Sequence, residues 1–411
     1  MGSAGKLGYS IQAEAEKLLH DEILNNPRLP ALPGEINEAA KHINIIGNAL
    51  PSIPINWRFA ESITALKAFE ASVLNVLRKR KYQAPFSEIN INSDHASLFF
   101  MSPLIAKVIN KDGKPEDIPW KPEVLAKYGF PNTDLHNMTG LHRTLVTNIY
   151  RTKDGRYYHV HGSMNSDPSL TALGQPLRGE EGETYDSVVQ RFQDTVEKLD
   201  SRELDELMNE QYRQAGTICW TPEEFQQSEH GMANAHVGLY ELKKIGGQNQ
   251  PASWWPDNAS LPSSASRPLA GLKIVDLTRV IASPAVGRSL AEMGASVMRV
   301  TGPKVTDMSS LHLDLNWGKW NTQVDLKTAE GKAILWELIE DADVVIDGYR
   351  PGAQARNGFS REAIMDLAKR RGRGIIHVRE NCYGWNGPWQ HRSGWQQISD
   401  AVSVLFLHHE T

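Results

Sequence analysis

From Leu269 onward the chain alternates short β-branched runs with stretches of helix length, and this alternation constrains the fold more than any other feature. Gly271–Thr278 is an apolar run led in by Pro268 and Gly271, the pattern of a buried strand. Ser283 then supplies an N-cap and Pro284 the first helical position; helix-forming residues run from Ala285 to Met293, and Gly294 stands where a helix stops. Ser296–Thr301 is the next strand. A helix from about Ala329 to Ala342, a strand Asp343–Asp347, a helix from about Arg361 to Arg371 and a strand Gly374–Val378 follow. Strands and helices in this order predict βαβ units with right-handed crossovers and a parallel sheet.

Ligands of open parallel sheets sit beyond the carboxyl ends of the strands. The loops to inspect are therefore Arg279–Ser283, Thr301–Lys319, Gly348–Gly352 and Glu380–Trp395. The first of them, Thr278–Pro284, contains no glycine, and a pyrophosphate-binding turn needs glycines so that backbone can approach the phosphates. This argues against an NAD or FAD dinucleotide fold, and no Walker A sequence is present.

Five ordered segments carry a resemblance: 269–284, 290–300, 318–331, 342–352 and 384–394. They resemble the family III CoA-transferases (the CaiB/BaiF family), which include the α-methylacyl-CoA racemases. The resemblance implies an α/β fold in which a Rossmann-like parallel-sheet domain is joined to a smaller α+β domain. It also implies a coenzyme A thioester over this half-sheet, with Arg279, Val280 and Ala282 in the first binding loop and Arg350 and Pro351 near the adenosine end. Outside that context Arg279 and Arg350 read as solvated loop residues.

The residues 51–130 resemble the family as well, but out of order. In such transferases a catalytic carboxylate opens a long helix with a basic end, and a strand follows. Here Asn56 opens the helical pattern, Arg78–Lys81 supplies the basic end, and Ser87–Asn92 alternates like a strand. Ile63, Leu66, Phe69, Val73, Val76 and Leu77 recur at helical spacing and predict the apolar face. Counting back from the basic end puts Glu61 at the position of the catalytic aspartate. Glutamate is a departure there, and a carboxylate in a first helical turn is also favoured by the helix dipole alone. The order looks permuted, or left from a duplicated ancestor.

Leu141–His161 reads as strand, turn at Lys153–Gly155, strand, and resembles the family's small domain; helical patterns follow at Thr184–Leu199 and Ser201–Gln214, and Ala215–Glu224 looks like the return. His159 and His161 share a strand face, but no third soft ligand accompanies them, so a metal is not expected. The resulting division is a leader (1–50) with a helical stretch at Ile11–Asn25, the permuted carboxyl-terminal part of the large α/β domain (51–130), a small α+β domain (131–245), a Gly/Ser/Pro-rich linker (246–266) and the βαβ half of the large domain (267–411).

In the family's racemases a His within a Gly-His-Asp segment partners the catalytic aspartate. Trp395 and Gln396 stand at the matching places, and an indole exchanges no proton at neutral pH. An aromatic residue is normal there in the transferases, which makes Trp395 and Gln396 substrate-pocket residues. The expected function is transfer of CoA from an acyl-CoA thioester to a carboxylic acid, with Glu61 as nucleophile and an interlocked homodimer as the assembly. The alternatives are a racemase- or epimerase-like isomerase or a cyclase of a metabolite, and a non-catalytic partner subunit.

A formal net charge of −5 over 411 residues argues against nucleic acid or an anionic membrane as partner. Two cysteines, Cys219 and Cys382, cannot form a disulfide framework, and no apolar run approaches a membrane span. The start of the chain has no secretory h-region, and Lys6 stands where a myristoylation signal needs Ser or Thr. A soluble, cytoplasmic enzyme without metal or NAD is the expectation.

Overall fold

The computed structural model describes residues 9–30, 32–54, 57–117, 122–245, 252–257, 259–260 and 262–402. The absent myristoylation signal at Met1–Lys6, Asn56, part of the 246–266 linker and the end of the chain after Val402 lie outside the described residues.

The strands, in chain order, are β1 (Ile43–Ile46), β2 (Ile89–Asn92), β3 (Lys107–Ile109), β4 (Pro115–Asp117), β5 (Asn148–Arg151), β6 (Tyr157–Val160), β7 (Gly216–Ile218), β8 (Lys273–Leu277), β9 (Ser296–Thr301), β10 (Lys319–Gln323), β11 (Val344–Asp347) and β12 (Ile376–Arg379). The last five form one sheet in the order β10-β9-β8-β11-β12, and every pair in it is parallel. The expected parallel α/β sheet is therefore present. From β8 the chain steps one way to β9 and β10, then returns to the other side of β8 for β11 and β12. The reversal falls between β8 and β11, which is where open α/β sheets form a crevice for ligands.

Both faces of this sheet are covered. On one, Val275, Leu277, Val300 and Val345 pack with Leu335 and Ile339 of the helix Ala329–Asp341 and with Ile364 and Leu367 of the helix Arg361–Arg371. On the other, Ile274, Val297, Val344 and Ile346 meet Leu290 and Ala291 of the helix Ala282–Glu292, and Leu77 of the long helix Phe59–Tyr82. Burial on two faces is why these strands read as unbroken apolar runs; each such side chain contributes about 1.5–3 kcal/mol.

Three boundaries differ from expectation. The helix after β8 begins at Ala282 with Ile281 as its N-cap residue, so Ser283 and Pro284 lie inside the first turn. The Ser283 hydroxyl donates to Glu380 instead of capping. The last strand is Ile376–Arg379, displaced toward the carboxyl end of the expected run. The region expected as a strand from Leu141 starts as a helix, Leu141–Leu145, and only Asn148–Arg151 pairs with β6. The polar edge strand β10 was not foreseen.

The long helix shows the largest correction. Its buried positions are Ala60, Glu61, Thr64, Ala65, Ala68, Ala71, Ser72, Asn75 and Val76, whereas Leu66 is 40% and Val73 38% exposed. The small residues form the inner stripe because other elements supply the bulk. Leu19, Ile23, Leu24 and Ile36 from the preceding segments pack onto the alanines. Of the expected apolar face, Val76 is buried and Phe69 and Leu77 pack on the core, while Leu66 and Val73 fall outside the inner stripe. The β1–β2 pair, parallel and two-stranded, lies beside this bundle.

Residues 148–218 build a separate antiparallel sheet, β5-β6-β7. The turn expected at Lys153–Gly155 is there: the Thr152 amide donates to the Arg156 carbonyl at 2.8 Å, and Gly155 takes φ +80. Val188, Phe192 and Val196 of the helix Tyr185–Val196 and Leu204 and Met208 beyond it close its core.

Candidate functional site

The β8–β11 reversal brings together two of the loops singled out in the sequence. Gly348, just after β11, lies so close to the β8 loop that a Cβ there would stand 2.5 Å from Ser283 Oγ; only glycine allows this approach. Inside the β8 loop, Val280 takes φ +71, a left-handed conformation that a β-branched residue adopts only under constraint from its surroundings. Beneath the loop, Lys319 Nζ donates to Asp276 Oδ2 and to the Pro284 carbonyl, each at 2.8 Å, with both charged side chains fully buried. This pair ties the edge strand β10 to β8 and to the first turn of the following helix.

Two of the five residues expected to bind the ligand are neighbouring cations on these two loops. Arg279 donates to the Thr306 carbonyl at 2.9 Å, and its guanidinium lies 5.7 Å from the centre of the Tyr349 ring. Arg350 donates to Ser163 Oγ at 3.0 Å and reaches the Arg213 carbonyl at 3.5 Å. Burial, and then the neighbouring Arg279 charge, pull the Arg350 pKa down to about 10. Among the described residues neither guanidinium forms an ion pair with a carboxylate. Two neighbouring cations, held only by neutral acceptors among the described residues and one of them buried, favour an anion beside them. Val280 sits in the same loop, Ala282, expected in it as well, instead opens the helix that follows because Ile281 already caps that helix, and Pro351 is half-buried in the turn after Arg350.

Trp395 joins this group and Gln396 does not. The Trp395 indole N–H donates to the same Ser163 hydroxyl at 3.1 Å, and its ring stacks on His161 at 5.1 Å and 5°. Ser163 has φ +55, and its own amide donates to His161 Nδ1 at 2.9 Å. Burial holds His161 down to about 3, so its imidazole is neutral near pH 7. Gln396 is exposed and donates to Asp400; its neighbour Gln397 is the one that interacts with His161. Ser163, His161 and Gln397 were not anticipated as site residues. The only local signal was the His-Gly-Ser sequence closing the β6 strand. Asp347, at the end of β11, is pushed up to about 6 by burial, against the Tyr349 amide donating to Oδ1 and the Arg379 charge.

Glu61 lies elsewhere in the bonding pattern. It is 2% exposed, in the first turn of the long helix. Oε1 accepts a 2.7 Å hydrogen bond from the Tyr9 hydroxyl, while Oε2 is buried with no hydrogen-bond partner among the described residues. No hydrogen bond or ion pair among those residues links it to Arg279, Arg350 or Trp395. Likewise, no group of three His, Cys, Asp or Glu among them could hold a metal ion. Cys219 and Cys382 are unpaired. No described helix is long and apolar enough to cross a membrane.

The profile of CoA-transferase family III matches residues 269–410. Over 404 residues, 97% of this chain and 68% of the other, the chain is 54% identical to the acetyl-coenzyme A transferase nodX of Hypoxylon pulicicidum. It is 35% identical over 370 residues to an acyl-CoA transferase of Gibberella moniliformis, covering 88% of this chain and 62% of that protein. A shorter match, 31% over 163 residues, is to succinyl-CoA:glutarate CoA-transferase of Homo sapiens, and covers 37% of this chain and 36% of that one. The chain thus spans about two thirds of the first two relatives.

Proposed function

We propose that this chain, which belongs to CoA-transferase family III, moves coenzyme A from an acyl-CoA thioester to a carboxylic acid through a covalent intermediate on Glu61. The observation that carries the ligand half of this reading is the Arg279–Arg350 pair at the sheet's reversal, where two guanidiniums lack carboxylate partners among the described residues. The phosphates of CoA would supply the missing anions. Val280 and Ala282 would approach the ligand through backbone, Pro351 would flank the adenosine, and Trp395 and Gln396 would border the acyl pocket. The names of the relatives favour transfer over the isomerase and non-catalytic alternatives.

In the chemistry this implies, Oε2 of Glu61 attacks the thioester carbonyl carbon, the C–S bond breaks, and CoA leaves as thiolate from a mixed anhydride. The thiolate attacks Cδ of Glu61, expelling the donor acid and leaving a glutamyl–CoA thioester. The acceptor carboxylate attacks that thioester and the steps run in reverse, giving acceptor–CoA and free Glu61. A buried carboxylate with one oxygen unengaged suits the first step, because less hydrogen bonding has to be broken before attack. Glu61 and this pair would come together in an interlocked homodimer, each chain completing the other's site. On this reading 51–130 and 267–411 are parts of one large domain in permuted order, 131–245 the small domain, and the enzyme works inside the cell in a reducing compartment.

Calorimetric titration with CoA and acetyl-CoA tests the ligand half. Wild type should bind, and Arg279→Ala or Arg350→Ala should weaken binding by roughly 10- to 100-fold, the value of one lost charge-assisted contact. Equal affinity for the variants would overturn the assignment. Treatment with acetyl-CoA and hydroxylamine, followed by peptide mass spectrometry, should find the hydroxamate at Glu61; an unmodified peptide under turnover would refute the covalent half.

A further inference from the structure

The amino-terminal segment read as a leader without chemistry places a hydroxyl on the carboxylate. Tyr9 stands two residues before the helix Ile11–Lys17, whose Ser10 side chain accepts from the Ala13 amide. The segment is fastened at three points. The Ile11 amide donates to the Ala49 carbonyl at 3.0 Å, the Ile11 side chain is buried, and Arg58, at the N-cap of the long helix, pairs with Glu14. Across 52 positions of sequence the Tyr9 hydroxyl then meets Glu61 Oε1 at 2.7 Å.

The contact divides the two carboxylate oxygens. Oε1 is held by a donor; Oε2 is buried and unengaged among the described residues. If Oε2 forms the anhydride bond, Oε1 becomes the carbonyl oxygen of the acylated side chain. Thiolate attack at Cδ then moves the carbonyl π electrons onto Oε1. Collapse returns them, breaks the Cδ–Oε2 bond and releases the acid with that oxygen.

Resting on the covalent reading above, we propose that Tyr9 is the oxyanion donor for this second step, holding the charge that develops on Oε1 as CoA attacks Glu61. The hydrogen bond to Glu61 itself pushes the tyrosine pKa up to about 12, so the hydroxyl remains a donor through any physiological range. Tyr9 is 37% exposed, so exchange for phenylalanine removes the O–H without emptying a core position.

Two isotope exchanges separate the steps and need only acetyl-CoA, CoA and acetate. Labelled CoA enters acetyl-CoA through anhydride formation alone. Labelled acetate enters only if the chain also passes through thiolate attack at Cδ. Tyr9→Phe should slow acetate exchange by roughly 10²- to 10³-fold, the usual effect of deleting one oxyanion donor, while CoA exchange stays within about threefold of wild type. Hydroxylamine should trap more hydroxamate at Glu61 in the variant, because the anhydride persists. Glu14→Gln, which loosens the segment and keeps the hydroxyl, should leave the ratio of the two exchanges unchanged, and thermal melting of both variants checks their folding. Equal loss of both exchanges in Tyr9→Phe, or an undiminished acetate exchange, overturns the role of Tyr9. The covalent reading fails separately, if wild type catalyses neither exchange or Glu61→Gln retains both.

Discussion

Removing Lys319 should cost far more than its position on an edge strand suggests. Its ammonium is fully out of solvent and bridges Asp276 Oδ2 and the Pro284 carbonyl at 2.8 Å each; the Thr278 hydroxyl is the other donor to Asp276. The helix Ala282–Glu292 is packed so closely on the pair that a Cβ at Gly287 would lie 2.7 Å from Asp276 Oδ2. Burial pulls the lysine pKa down, and Asp276 opposes that pull. Lys319→Met keeps the volume and leaves Asp276 with one hydroxyl for company. Breaking a buried pair from one side costs about 3–5 kcal/mol. For a unit of this size that is a fall in Tm of roughly 10 °C. The double variant Lys319→Met/Asp276→Leu removes both charges and should recover much of the loss, giving a coupling above ~2 kcal/mol. The carbonyl of Pro284 also loses its donor, so affinity for CoA should fall in the single variant as the first helical turn relaxes. Scanning calorimetry and titration on the four proteins of this cycle decide the matter. A single-variant shift below about 2 °C, or a double variant no more stable than the single one, refutes the reasoning.

Three other outcomes are expected. Asp347, ordinarily near 3.8 and held at about 6 by burial, has a folded pKa above its unfolded one. Its favourable contribution is therefore complete at low pH and disappears as pH rises through about 6; Asp347→Asn should be more stable than wild type above that point, by up to ~3 kcal/mol, with the difference vanishing by about pH 4 in thermal melts. Val280→Gly should relieve the φ +71 strain and raise stability by about 1 kcal/mol while weakening CoA binding, since the loop is no longer held in one shape; chemical denaturation and calorimetry measure the two effects. In the long helix, Ala68→Leu should destabilise by about 1–3 kcal/mol through overpacking, whereas Leu66→Ala should change stability by under ~0.5 kcal/mol, the reverse of what side-chain hydrophobicity predicts.

What could be read from the sequence was decided by how many layers enclose a segment. The β8, β9 and β11 strands are buried on both faces, so their composition alone announces them, and the order of elements then fixes where the sheet reverses and which two loops meet. Arg279 and Arg350 could be placed on those two loops for that reason: each comes within three residues of the end of its own strand. The β10 strand, Lys-Trp-Asn-Thr-Gln, has one neighbour and a mostly exposed surface, so it carries no apolar signal. In the long helix Phe69, Val76 and Leu77 were legible, but Leu66 and Val73 were misjudged, because burial along the rest of the stripe follows from close approach of neighbouring helices, which selects alanine and serine over leucine.

The residues that were missed share a different cause. Ser163 bonds to Arg350 and Trp395 across 187 and 232 positions, Lys319 to Asp276 across 43, and Tyr9 to Glu61 across 52. In each case the chemistry resides in the pairing and neither partner's neighbourhood encodes it: a serine after a strand, a lysine on a polar edge and a tyrosine before a helix are ordinary by themselves. Glu61 shows both sides of this. Its place at a helix start was visible from the basic residues that end the helix. Its first-turn position alone would equally suit a dipole-stabilising cap, which prefers both carboxylate oxygens in water or on backbone amides. A carboxylate with one oxygen on a tyrosine and the other buried without a partner serves that purpose poorly, and this mismatch with a capping role is the structural reason to look for chemistry at Glu61.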